Sequence, residues 1–133
     1  MQKSNPKYEQ LVTLAAEARE RAYAPYSKYK VGAALLGKSG RVYTGCNVEI
    51  ASYPVGLCAE PVAVAKAVSE GERKFEAIAV VTENGGTPCG ACRQFLHEFG
   101  NDIEIIVADL SGHRWAYGLE ELLPAAFSSE HLI

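Results

Sequence analysis

Long apolar runs are missing from this 133-residue sequence, and no stretch approaches the roughly 18 consecutive apolar residues that cross a membrane. Basic clusters are missing as well. Thirteen Lys+Arg stand against 16 Asp+Glu, a formal charge of −3. The scattered Arg19, Arg21, Lys28 and Lys30 are too sparse to follow a phosphate backbone, so neither a membrane nor a long nucleic acid is an expected partner. The start, Met1 to Tyr8, is polar and broken by Pro6. It lacks the apolar core of a secretory signal, and a cytoplasmic location is expected. No internal repeat or low-complexity segment is present. Histidines number only three, and His97 and His113 read as exposed or capping rather than as ligands.

What remains is ordinary globular material: 48% hydrophobic and 22% charged residues in a length that fits one domain, residues 1–133. Ser4-Asn5-Pro6 offers a helix start, and Leu11, Leu14, Ala15, Ala18 and Ala22 recur at helical spacing, which predicts a helix from Pro6 to Tyr23. Val31–Leu36 and Arg41–Val48 flank Gly37-Lys38-Ser39-Gly40 as an antiparallel hairpin. Ala59–Glu70 reads as a buried helix closed by Gly71. Phe75–Thr82 and Ile103–Ala108 are continuous apolar strands, separated by a helix over Cys89–Phe99. Trp115–Tyr117 is a candidate edge strand, with Trp115 a packing residue, and Leu119–Leu123 a last helical turn. Helices alternating with buried strands predict an α/β fold, a mixed sheet covered on both faces. Ligands of such sheets sit at strand C-terminal ends beside helix starts, where Cys58 and Cys89 fall.

The four cysteines are Cys46, Cys58, Cys89 and Cys92. In a reducing compartment they are better read as metal ligands, redox groups or core than as disulfides. Cys58-Ala59-Glu60 opens one helix and Pro88-Cys89-Gly90-Ala91-Cys92 another. A Cys-x-x-Cys pair at a helix start holds two sulfurs at a separation that suits tetrahedral zinc, and Cys58 can supply a third. Three protein ligands leave the fourth position for water, as in a catalytic zinc site. Glu60, two residues from a ligand, can handle that water's protons without binding the metal. Cys46 is left over and reads as core.

Tyr26-Ser27-Lys28-Tyr29, Val31-Gly32-Ala33-Ala34-Leu35-Leu36, Thr44-Gly45-Cys46-Asn47-Val48-Glu49, Cys58-Ala59-Glu60, Pro88-Cys89-Gly90-Ala91-Cys92-Arg93-Gln94 and Leu122-Leu123-Pro124-Ala125-Ala126-Phe127 together resemble the small, homotetrameric zinc-dependent cytidine deaminases, in order and over nearly the whole chain. The resemblance implies a three-layer αβα domain with a five-stranded mixed sheet, one zinc per subunit, and active sites completed by neighbouring subunits. It implies deamination of cytidine or deoxycytidine to the uracil nucleoside, a pyrimidine-salvage reaction. Zinc-bound hydroxide attacks C4, and Glu60 shuttles protons to N3 and to the leaving amine. Cys58, Cys89 and Cys92 are then the zinc ligands, Asn47 and Glu49 the ribose-binding pair, Tyr29 a ring beside the base, and the Ala59 backbone a partner of the base carbonyl. Tyr53 and Phe127 resemble the aromatics that reach the site from other subunits. Read without the family, Tyr29, Tyr53 and Phe127 are core or interface packing.

This sequence departs from the family pattern at three places. Pro61 and Val62 follow Glu60 where arginine and threonine are usual, so a donor to the zinc-bound sulfurs is absent unless Arg93 or helix N–H groups replace it. Ile50 stands after Glu49 in place of asparagine. The wording Pro54-Val55-Gly56-Leu57 before Cys58 is unusual. The blasticidin S deaminases also lack the arginine, so a modified cytosine nucleoside or a blasticidin S-like compound is the alternative substrate. From another class, the alternative is a thiol–disulfide protein using Cys89 and Cys92.

Overall fold

A computed structural model of the chain describes residues 6–132. The Ser4-Asn5 helix start lies outside the described residues. The chain runs α1 (Pro6–Arg19), β1 (Gly32–Gly37), β2 (Val42–Cys46), a 3-10 turn (Tyr53–Val55), α2 (Ala59–Ser69), β3 (Phe75–Val81), α3 (Gly90–His97), β4 (Glu104–Ala108), β5 (Arg114–Gly118), α4 (Leu119–Leu122) and a second 3-10 turn (Ser129–His131). The strands form one five-stranded sheet in the order β2-β1-β3-β4-β5. Only β3 and β4 are parallel, as the crossover through α3 requires; the other pairs are antiparallel.

β1 explains the layering. All six of its residues are buried, and side chains alternate across a strand. Ala34 and Leu36 join Leu11, Val12 and Ala15 of α1 on one face of the sheet. Ala33 and Leu35 join Ala59, Ala63, Val64 and Ala67 of α2 and Leu96 of α3 on the other. This is the expected three-layer αβα arrangement. The small residues let the layers close: a Cβ on Gly45 of β2 would lie 2.5 Å from the Ala59 carbonyl oxygen and 2.7 Å from the Ala63 nitrogen, so α2 rests directly on the strand's backbone. Trp115 packs against the α2 side of the core, over Gly85, which holds a positive φ of 77°.

Several expected elements are shorter than their patterns, α3 among them at Gly90–His97 rather than Cys89–Phe99, and in two the cause is a change of partner or of bonding. The first helix stops at Arg19 rather than Tyr23 because residues 20–22 tighten into i→i−3 bonds. Tyr23 is drawn into a bridge with Val48, donating to the Asn47 carbonyl and accepting from the Glu49 amide. The hairpin's second strand stops at Cys46 because Val48 pairs with Tyr23 and Leu57 instead of with β1. These bridges turn the chain between Asn47 and Leu57 over the end of the sheet where α2 and α3 begin.

Candidate metal centre and substrate cavity

Cys58 is the N-cap of α2 and Cys89 the N-cap of α3; both have extended backbones. Cys92 lies one turn into α3 and is buried, while Cys58 and Cys89 are exposed. The two helix starts converge, bringing the three Sγ atoms within 4.8 Å of one another, with Cys89 and Cys92 Sγ 3.5 Å apart. Zinc–sulfur bonds of about 2.3 Å in a tetrahedron space sulfurs about 3.8 Å apart, so the set fits the ion. Among the described residues no histidine or carboxylate joins these three sulfurs, which leaves one coordination position free. The Cys92 hydrogen bond toward the Cys58 sulfur is the main cause holding the Cys58 thiol down to about 6, and the same contact, with burial second, raises the Cys92 thiol. Cys46 is half-buried in β2 and outside the cluster.

Glu60, in the first turn of α2, is 3% exposed. Burial is the main cause raising its pKa, so its carboxyl keeps a proton more readily than an ordinary glutamate. It shares with the three cysteines a cavity of about 590 Å³ at the C-terminal end of β3. Tyr29, Asn47, Glu49, Ala59 and Tyr53 line the same cavity.

Asn47 and Glu49 both keep hydrogen-bonding capacity toward the cavity. Asn47 is buried; its Oδ1 accepts from the Val31 amide at 2.9 Å and its Nδ2 donates to the Tyr29 carbonyl at 2.9 Å. A carboxamide has two N–H groups and two lone pairs, so one of each remains. Glu49 Oε1 accepts from the Tyr26 and Ser27 amides at 3.0 Å each, and its Oε2 accepts from the Ser27 hydroxyl. One acceptor direction of Oε2 remains. The pair is locked in place and still able to give one and take two hydrogen bonds. The Ser27 hydroxyl is the main cause of the lowered Glu49 pKa.

The Tyr29 hydroxyl donates to Asn84 Oδ1 at 2.8 Å, which fixes the side chain where it lines the cavity. Tyr53 is 73% exposed and sits on the rim of its own chain's cavity, edge-on to Tyr26 at 6.1 Å. Phe127 does not line that cavity; it is exposed and stacks on His131. Arg93 does not replace the missing arginine, since its guanidinium bonds go to oxygens and none to sulfur. Three contributors carry no assignment from the sequence: Ser27, which holds Glu49; Asn84, which holds Tyr29; and Thr82, whose buried hydroxyl accepts from the Gly85 and Gly86 amides. A polar Thr82 ending an apolar strand was the available signal for the last.

Residues 5–108 match the family profile described as the cytidine and deoxycytidylate deaminase zinc-binding region. The chain is 47% identical over 127 residues to a cytidine deaminase of Sporosarcina psychrophila, covering 93% of each chain. It is also 47% identical over 125 residues to one of Halalkalibacterium halodurans, covering 92% of this chain and 95% of the relative. Among solved structures, a cytidine deaminase from Burkholderia pseudomallei superposes with a TM-score of 0.88 at 46% identity, over 90% of this chain and 98% of that one. No helix among the described residues is long and apolar enough to cross a membrane.

Proposed function

Given that the chain belongs to the cytidine and deoxycytidylate deaminase family, we propose that this zinc-dependent enzyme hydrolyses the C4 amine of free cytidine or deoxycytidine, yielding the uracil nucleoside. The observation that carries this reading is Glu60: a buried carboxyl with a raised pKa, sharing one cavity with three clustered sulfurs. A redox dithiol would need Cys89 and Cys92 alone and leaves both Cys58 and Glu60 without a purpose.

Residues 1–133 act as one deaminase domain. Cys58, Cys89 and Cys92 hold zinc, which when bound supplies the Lewis acidity that makes water nucleophilic near neutral pH. The Glu60 carboxylate would take a proton from the attacking water and hand it to N3 of the pyrimidine as C4 becomes tetrahedral, then take the proton left on the C4 hydroxyl and deliver it to the amine, which departs as ammonia. Burial suits Glu60 to both directions of transfer, because it brings the carboxyl's pKa closer to the working pH. The remaining N–H of Asn47 donates to a sugar hydroxyl and the free lone pair of Glu49 accepts from one. The Ala59 backbone meets the base carbonyl, and the Tyr29 ring packs beside the base.

A homotetramer completes the sites. Its support is the exposed apolar border around the cavity, Tyr26, Ile50, Tyr53 and Leu57, together with Phe127, whose ring has no place in its own chain's cavity. An ultraviolet assay of zinc-loaded protein with cytidine, deoxycytidine and an N4-substituted cytidine side by side tests the substrate. Turnover of the plain nucleosides is expected, and turnover of the N4-substituted compound alone would overturn it.

A further inference from the structure

Arg93 follows a proposed zinc ligand directly, yet its guanidinium turns away from the sulfurs. Nε donates to the Pro88 carbonyl at 2.7 Å, Nη2 to the Thr87 hydroxyl at 2.9 Å and Nη1 to the Leu122 carbonyl at 2.8 Å. Thr87 and Pro88 are the two residues that lead into Cys89. Leu122 ends α4 and opens the irregular segment that carries Phe127. The planar fork of arginine, which cannot lose its charge, thus spans two pieces of chain with no other side-chain tie between them among the described residues. Gln94 adds a second tether further along, its Nε2 donating to the Phe127 carbonyl at 2.9 Å.

Between the two tethered carbonyls lies Ala125, with φ 53°. A non-glycine residue enters this left-handed region at a cost of roughly 1–2 kcal/mol, and it stays there only when its surroundings over-determine it. The tethers on either side supply that determination. The segment is therefore held in one shape against its local preference, from the same helix that carries Cys92.

We propose that Arg93 is a positioning residue that fixes the Cys89 approach and the Phe127 segment relative to each other, so that one guanidinium sets both the metal loop and the presentation of Phe127. Gln94 serves only the second of these tasks. The Pro88 carbonyl and the Thr87 hydroxyl are each held by one guanidinium donor, which fixes the Pro88–Cys89 peptide and keeps Cys89 at the N-cap of α3. The Leu122 bond carries that rigidity to the C-terminal segment. The effect on turnover rests on the deaminase reading, but the effect on zinc does not.

The test uses Arg93→Lys, Arg93→Gln, Gln94→Ala and Thr87→Val in the full chain. Zinc retention is read by competition with a chromogenic chelator, folding by thermal unfolding, and kcat and KM on cytidine separately. Lysine keeps the charge and loses the fork, so Arg93→Lys and Arg93→Gln should both release zinc about tenfold more readily, the scale of losing a group that orients a metal ligand, and both should raise KM. Gln94→Ala should raise KM with zinc retention unchanged. Thr87→Val, which removes one acceptor and leaves the arginine, should weaken zinc retention by a smaller factor and covers the case in which the Arg93 variants do not fold. Rescue of zinc retention by Arg93→Lys would overturn the proposal, as would wild-type zinc retention in Thr87→Val together with wild-type zinc retention and KM in Arg93→Gln. If the wild type fails to turn over cytidine, the chelator arm still decides the Arg93 assignment while the substrate reading falls separately.

Discussion

Cys58 and Cys89 occupy equivalent positions in two helices, each the N-cap residue with an extended backbone, φ −75° and ψ 162° in one and φ −67° and ψ 168° in the other. Both sulfurs therefore sit where a helix presents its unpaired N–H groups and the positive end of its dipole. With the three thiolates as ligands of a divalent zinc the site would carry one net negative charge, and the converging helix starts would offset it while Arg93 is employed elsewhere.

The two helices are not equal in that role. An N-cap side chain accepts from the amide of the second or third helical residue, and the third residue of α2 is Pro61, which has no N–H. Neither sulfur accepts a cap hydrogen bond in this structure, and Cys58 has one fewer cap amide on offer than Cys89. Pro61→Ala restores an amide and Pro61→Arg adds a guanidinium as well. A cap hydrogen bond is worth about 1 kcal/mol, or about fivefold in an equilibrium, so both variants should retain zinc more tightly, and Pro61→Arg should also raise kcat on cytidine. Chelator competition and steady-state rates measure this; an unchanged or lower rate in Pro61→Arg would show that the sulfur charge is balanced by another route.

Glu49 gives the site a pH dependence with a definite sign. Its folded pKa lies below the ordinary carboxylate value, with the Ser27 hydroxyl the main cause. The stabilisation this provides is complete above the unfolded value, about 4.3, and is lost as pH falls through the lower folded one. Nucleoside binding should follow the same course, with KM flat from neutral pH down through the mildly acidic range. Ser27→Ala should move the acid rise in KM to higher pH. An acid limb that stays where it is would remove Glu49 from the binding pair.

Gly45→Ala tests the seat of α2. The added methyl group would meet backbone atoms of Ala59 and Ala63 at under 3 Å, where no flexible side chain can yield. Overpacking of this kind costs about 1 to 3 kcal/mol, and here the displaced atoms are those that follow Cys58. A lower melting temperature and weaker zinc retention should appear together in thermal unfolding and metal analysis.

Cys89→Ala should reduce zinc content well below one per chain and abolish turnover, because two sulfurs make a poor zinc site and the α3 start loses its anchor. Metal analysis after gel filtration measures it. Full zinc content in this variant would take Cys89 out of the ligand set.

The sequence made the sheet and the clustering of three cysteines legible because both depend on local patterns. Apolar runs at Phe75–Thr82 and Ile103–Ala108, and cysteines at two helix starts, carry their meaning within a dozen residues. Less legible were features whose partners are distant in the chain. Tyr23 leaves the first helix to pair with Val48, a choice that no periodicity around Tyr23 announces. The Tyr29 hydroxyl meets Asn84, and Arg93 meets Leu122; each acceptor belongs to a loop whose position is known only once the sheet is assembled. A polar side chain states its capacity in the sequence but not its destination.

The central claim is that Glu60 moves the protons of a zinc-assisted deamination. Its most direct test compares wild type and Glu60→Gln for zinc content and for cytidine turnover in the same preparations. The substitution keeps the shape of the side chain and removes only its ability to carry a proton. Zinc content should be equal, and kcat should fall by about 10² to 10⁴, the range of a lost general acid–base group. Turnover persisting at near the wild-type rate in zinc-loaded Glu60→Gln would contradict the account.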